Sequence, residues 1–256
     1  MKKSFVRTFI ISLFLVIILN IFMNIFTELN YFVECFISYL LFSVILFIDL
    51  KPQRDTVKIL SEECDPNKFL TEWVKYENYT SSKQHKITYS LNRCAGLIEQ
   101  GNYNEALGIL EGIDISKLNS VGSFIYYNNL MATLLHLDRF DKAKDAWNNV
   151  YTVSKLPKSF QATKEYNTMY ADLMRFNPSD ENRRLFIANA ERIFSENENK
   201  GSMHFKVTMK YAIGVAYFEL GDIAKSKEYF TYAIENGNKL YTAQLSRQYL
   251  ERINTP

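Results

Sequence analysis

Histidine, the side chain that most often moves protons or ligates metals near neutral pH, occurs only at His85, His136 and His204. The three stand far apart, none belongs to an HExxH or similar pattern, and each is read as a structural or surface residue. The cysteines Cys35, Cys64 and Cys94 are odd in number, lack CxxC or finger-like spacing, and include one within an apolar run. That pattern favours a reducing compartment without metal or disulfides. No GxSxG, P-loop or GxGxxG is present, so hydrolytic, nucleotide and dinucleotide chemistry have no starting residue. An enzyme would require titratable residues such as Glu99, His136 and Glu219 to converge in one pocket. The chain is therefore read as non-enzymatic, with no cofactor and no metal site.

Charge removes another class of partner. Lys and Arg total 30 against 28 Asp and Glu, and three of each lie in residues 1–49, leaving 27 against 25 in the remainder. This near-neutral balance carries no basic footprint for nucleic acid. A hydrophobic content of 47% with only nine Gly and five Pro belongs to a chain that folds. The 36 Phe and Tyr residues are the bias that AT-rich coding produces.

The elements that must position any site begin with two apolar runs. The first reads FIISLFLVIILNIFMNIF over 9–26, and the second covers 31–50 with FISYLLFSVILFI at its centre. A bilayer core of roughly 30 Å needs about 20 helical residues, so both runs are expected to span it as a two-pass hairpin over residues 1–51. Lys2, Lys3 and Arg7 precede the hairpin, Lys51 and Arg54 follow it, and the connector carries only Glu28 with Glu34 nearby. The positive-inside rule then places both termini and the rest of the chain in the cytoplasm, at a cell membrane. A cleaved signal peptide is the competing reading, but the first run exceeds a signal core of about 7–15 residues and a second run follows. Asn20 and Asn24 are read as amides tolerated between packed helices. A cytoplasmic placement makes the Asn78-Tyr79-Thr80 sequon accidental.

After Lys51-Pro52 the composition turns polar, and residues 52–82 read as a linker with one short helix. Asp65-Pro66 supplies an N-cap and a first-turn proline. Phe69, Leu70, Trp73 and Tyr76 then recur at helical spacing, and Thr80-Ser81-Ser82 reads as a loop. Beyond this, three turns align: GNYNEA from Gly101, DRFDKA from Asp138 and GDIAKS from Gly221, the first two 37 residues apart and the last two 83. Each sits between apolar helices, which is the signature of a solenoid of two-helix repeats.

Residues 211–233, YAIGVAYFELGDIAKSKEYFTYA, carry a specific resemblance. Gly214, Tyr217, Gly221, Ser226, Phe230 and Ala233 stand at the signature positions of the tetratricopeptide repeat (TPR). Cys94, Leu97, Gly101, Tyr103, Ala106 and Leu110 are similar, and Met131, Leu134, Asp138, Phe140, Ala143 and Trp147 match more loosely. The chain thus resembles a membrane-anchored bacterial TPR protein. The resemblance implies an all-α fold, with a TPR-like α-solenoid over 83–256 following the transmembrane hairpin. Repeats are expected at about 87–120, 124–157, 160–197 and 207–240, with a capping helix at 239–253. The third is degenerate, because Pro178 and Ser179 stand where a Gly and an aromatic belong.

The TPR groove positions, transferred to this sequence, are Thr88, Leu91, Ala95 and Ile98, then Asn128, Ala132, Leu135 and His136, then Tyr211, Val215, Phe218 and Glu219. Family members that clamp chaperone carboxy-termini use Lys, Asn and Arg there. Leu91, Ala95 and Asn128 break that pattern. The expected function is a scaffold or adaptor that grips an unidentified protein or peptide in this groove, while residues 9–26 and 31–50 hold the bilayer. The alternative is a regulatory receptor whose groove senses a peptide.

Overall fold

Gly101, Asp138 and Gly221 end three helices in the same left-handed conformation, with φ of 81°, 54° and 79°. In each turn the next N–H reaches five residues back: Asn102 to Leu97 O at 2.8 Å, Arg139 to Leu134 O at 2.9 Å and Asp222 to Tyr217 O at 2.9 Å. The same three residues then start the next helix, their carbonyls accepting from Ala106, Ala143 and Ser226 at 3.1, 3.0 and 3.0 Å. A left-handed residue costs an ordinary side chain roughly 1–2 kcal/mol, so glycine fills two of the positions and aspartate, which tolerates the conformation, the third.

The computed structural model describes residue 39 and residues 53–77, 83–198 and 201–255. The expected membrane hairpin and the loop at 80–82 lie outside these, apart from Tyr39. Among the described residues all regular structure is helical. Residues 53–61 form α1, followed by α2 (Pro66–Glu77), α3 (Lys83–Glu99), α4 (Tyr103–Glu111), α5 (Ser120–His136) and α6 (Phe140–Thr152). Then come α7 (Lys158–Tyr170), α8 (Asp180–Asn197), α9 (Met203–Glu219), α10 (Ile223–Asn236) and α11 (Tyr241–Asn254). No described helix is long and apolar enough to cross a membrane.

Antiparallel hairpins α3–α4, α5–α6, α7–α8 and α9–α10 follow one another. Their helices approach closely at small residues. A Cβ on Gly214 would lie 2.9 Å from the Phe230 ring, and Ser226 Oγ donates to Gly214 O at 3.1 Å. The corresponding pair in the first hairpin, Cys94 Sγ and Ala106 O, stand 3.7 Å apart. The third hairpin closes differently. There α7 runs on as a π-helix, Ala171–Phe176, and Asn177 N–H donates to Asp172 O at 2.9 Å. The wider turn supplies the five-residue bond that a left-handed residue supplies elsewhere. Ser179 Oγ then caps α8 by accepting from Asn182 N–H at 3.1 Å.

Side-chain donors tie each hairpin to the next through backbone carbonyls: Asn129 Nδ2 to Leu91 O at 3.2 Å, Arg175 to Leu135 O at 2.8 Å, and Tyr166 Oη to Thr208 O at 3.4 Å. Before the first hairpin, Asp65 caps α2 as expected, accepting from Lys68 N–H at 3.0 Å. Phe69 and Trp73 bury against Tyr89, and Trp73 Nε1–H donates to Tyr89 O at 3.0 Å. The segment read as a linker is thus packed onto the array over its described residues.

The end of the array meets its beginning. Lys239 N–H donates to Cys64 O at 3.1 Å, Asn238 Nδ2 donates to Glu63 O at 2.8 Å, and Lys239 Nζ lies 2.7 Å from Asp65 Oδ2. Cys64, Val207, Ala233 and Leu240 form a fully buried cluster across this seam. The C-terminal helix, expected to cap an open end, covers α9 and α10 and also closes on the first hairpin.

Candidate functional site

Closure turns the concave side into a cavity of about 320 Å3, walled by α3, α5, α7 and α9, with Leu60 of α1 and the start of α11 completing it. Of the groove candidates, Ala95, Ile98, Asn128, Ala132, Leu135, His136 and Tyr211 line it.

The other candidates lie outside the cavity. Leu91 is buried with Cys94, Leu110 and Tyr126, because α5 packs over that part of α3. Thr88 is exposed outside the cavity. Val215 packs into the core shared by α7, α8 and α9. Phe218 sits edge-on against Tyr249 at 5.1 Å, since α11 covers the second half of α9. Glu219 pairs with Arg183 at 2.6 Å, so the triad needed by an enzyme reading is divided: Glu99 and His136 line the cavity and Glu219 does not.

The walls also hold residues that groove positions alone did not point to. Tyr103 opens α4 and stacks on His136 with ring centres 4.3 Å apart, and Tyr241 meets Tyr103 edge-on at 5.8 Å. Tyr166 and Tyr170, one turn apart on α7, line the cavity, as does Asn167, whose amide donates to Asn128 Oδ1 at 2.7 Å. Their signal in the sequence was the aromatic spacing of 166 and 170 within the degenerate repeat.

An acid and a base meet at the seam side. His204 Nε2 lies 2.9 Å from Glu99 Oε1, a charge contact that is not aligned as a hydrogen bond. Burial disfavours the imidazolium, but the Glu99 carboxylate outweighs it and raises the His204 pKa above the usual imidazole range. His136, reached by solvent at the rim, is driven the other way, first by its protein surroundings and then by Arg175. Burial pushes the Tyr103 and Tyr211 hydroxyls upward, so both stay protonated. Arg175 is held by Leu135 O, lies 4.0 Å from Asp138 Oδ1, and rests over the Phe140 ring at 5.7 Å. The hydroxyl oxygens of Thr208 and Thr242, both on lining residues, are buried without a hydrogen-bond partner among the described residues.

Tyrosine and apolar walls supply contact area, amides and hydroxyls supply direction, and Glu99, the acid nearest any histidine of the cavity, is engaged by His204. Among the described residues no cluster of His, Cys, Asp or Glu could hold a metal ion.

Comparison of the chain with known protein families, characterised proteins and solved structures finds no match. Fold and site define the class by themselves: an all-α, solenoid-like array of helix hairpins closed around a small cavity.

Proposed function

We propose that this chain is a membrane-anchored receptor of the TPR type, which takes a short peptide or similarly small molecule into its enclosed concave face. The observation that carries this reading is the closure. Contacts from Glu63, Cys64, Asp65 and Gly101 to residues 238–241 leave about 320 Å3 inside, the lower end of small-molecule sites, which span about 300–1,000 Å3. An adaptor holding an extended polypeptide needs an open groove, so enclosure favours the receptor over the scaffold. The TPR assignment is supported by the three equivalent turns and by the Gly214 and Cys94 contacts. The anchor is supported by the apolar runs at 9–26 and 31–50 and their flanking basic residues, which would keep the array at the cytoplasmic face. Binding would reach the membrane through Leu60, which lines the cavity and packs against the cluster of Ile59, Phe69, Trp73 and Tyr89.

The test is a thermal-shift screen of the full chain in detergent micelles against pooled peptides of two to eight residues and against long unstructured polypeptides. A ligand at about 100 times its Kd stabilises by about 2.7 kcal/mol. Short pools are expected to raise Tm in the native chain and not in Ala132→Trp, whose indole fills the cavity. A rise with long polypeptides alone, retained in Ala132→Trp, would return the function to a scaffold.

A further inference from the structure

Acids and bases lining the cavity, tyrosines aside, are four: Glu99, His136, Arg175 and His204. Glu99 and His204 face each other at 2.9 Å, so the Glu99 carboxylate is already engaged. His136, exposed at the rim, is stacked on Tyr103, and its protein surroundings and the nearby Arg175 disfavour its charged form. The only carboxylate near Arg175 among the described residues is Asp138, 4.0 Å away with its side chain 80% exposed, where water screens the attraction. Arg175 is thus the lining cation without a buried counter-charge among the described residues.

A guanidinium carries five N–H donors in a planar fork. Among the described residues one nitrogen is committed, to Leu135 O at 2.8 Å, which fixes the plane and leaves donors for a ligand. We infer that the cavity takes a small amphipathic acid, with an aromatic or branched apolar body between the tyrosine walls and one carboxylate on Arg175. Polar wall groups fit an amide between these two parts. Asn128 and Asn167 use one hydrogen bond on each other at 2.7 Å and keep further donor and acceptor capacity, and the Thr208 and Thr242 hydroxyls have no partner among the described residues. An acylated amino acid, or the carboxy-terminal residue of a short peptide, has all three parts. This assignment rests on the receptor reading given above and adds the chemistry of the ligand.

Three probes of similar size separate the possibilities: N-acetylphenylalanine, its carboxamide, and phenethylamine, each titrated into the full chain in detergent and followed by saturation-transfer NMR. The acid is expected to bind at least about tenfold more tightly than the carboxamide, with the amine weakest, since hydrogen bonds to a charged group are among the stronger ones. Arg175→Gln should abolish the preference and Arg175→Lys should keep part of it. If Arg175→Gln fails to fold, the acid-to-amide ratio on the native chain decides alone. Equal binding of acid and carboxamide overturns the carboxylate assignment and leaves the receptor reading standing. Absence of binding by all three probes, or undiminished binding to Ala132→Trp, overturns both.

Discussion

The ring of Tyr241 fills the space a side chain on Gly101 would need: a Cβ there would stand 2.7 Å from the ring carbon Cδ2. Gly101 thus serves twice, as the left-handed end of α3 and as the seat on which the last helix closes the array. Gly221 holds the same conformation, φ 79°, with nothing within 4 Å of its would-be Cβ. Alanine at 221 is expected to cost only the backbone term, roughly 1–2 kcal/mol. Gly101→Ala should cost that plus a displaced ring, on the order of 1–3 kcal/mol more. Denaturant melts of the two variants settle it; equal losses would mean that Tyr241 is not seated on Gly101.

A second pair of glycines separates packing from propensity. Gly214 faces the Phe230 ring and the Tyr229 side chain at 2.9 and 3.2 Å, so Gly214→Leu should destabilise by overpacking, roughly 1–3 kcal/mol. Gly108 lies exposed on α4 with nothing near its Cβ position, and Gly108→Ala should stabilise by about 0.5–1 kcal/mol through helix propensity alone. Opposite signs of the change in Tm are expected, and a neutral Gly214→Leu would refute the close approach of α9 to α10.

These glycines show why part of the fold was legible. A left-handed turn and a close helix crossing each demand a residue type, so Gly101, Asp138, Gly221 and Gly214 left marks at fixed spacing. The third hairpin left none, because a π-turn can be made by ordinary residues such as those of Ala171–Phe176. Closure was invisible for another reason: Lys239 and Asp65 lie 174 residues apart, and no local pattern encodes such a contact. The groove positions failed where a neighbour covers them, as α11 covers Phe218 and α5 covers Leu91, while Ala95, Ile98 and Asn128 remained on the inner face.

Protonation at the seam gives a pH dependence with a fixed sign. The folded-state pKa of His204 is raised above the ordinary imidazole value of about 6.5 by Glu99, so the imidazolium contributes stability that is fully present below about pH 6.5. That contribution disappears as pH rises through the folded pKa. Glu99→Gln removes the cause and should flatten this part of the stability curve between pH 6 and 9, read from denaturant midpoints. An unchanged slope in Glu99→Gln would assign the dependence to another group.

The seam that joins the end of the array to its beginning is held by Lys239 at two points. Its backbone N–H donates to Cys64 O at 3.1 Å, and its ammonium lies 2.7 Å from Asp65, whose side chain is only 10% exposed. Lys239→Met leaves that carboxylate with the backbone N–H groups of Lys68, at 3.0 Å, and Asn67. The ammonium itself is 54% exposed, so the loss should be on the order of 1 kcal/mol, about fivefold in the opening equilibrium. Amide exchange at residue 239 should quicken by that factor, and a bound probe should dissociate faster, while the turns at 138 and 221 keep their protection. Asp65→Asn added to Lys239→Met should restore part of the protection, because the stranded charge is then gone. Faster exchange spread evenly over all the helices would mean that the seam opens only with global unfolding.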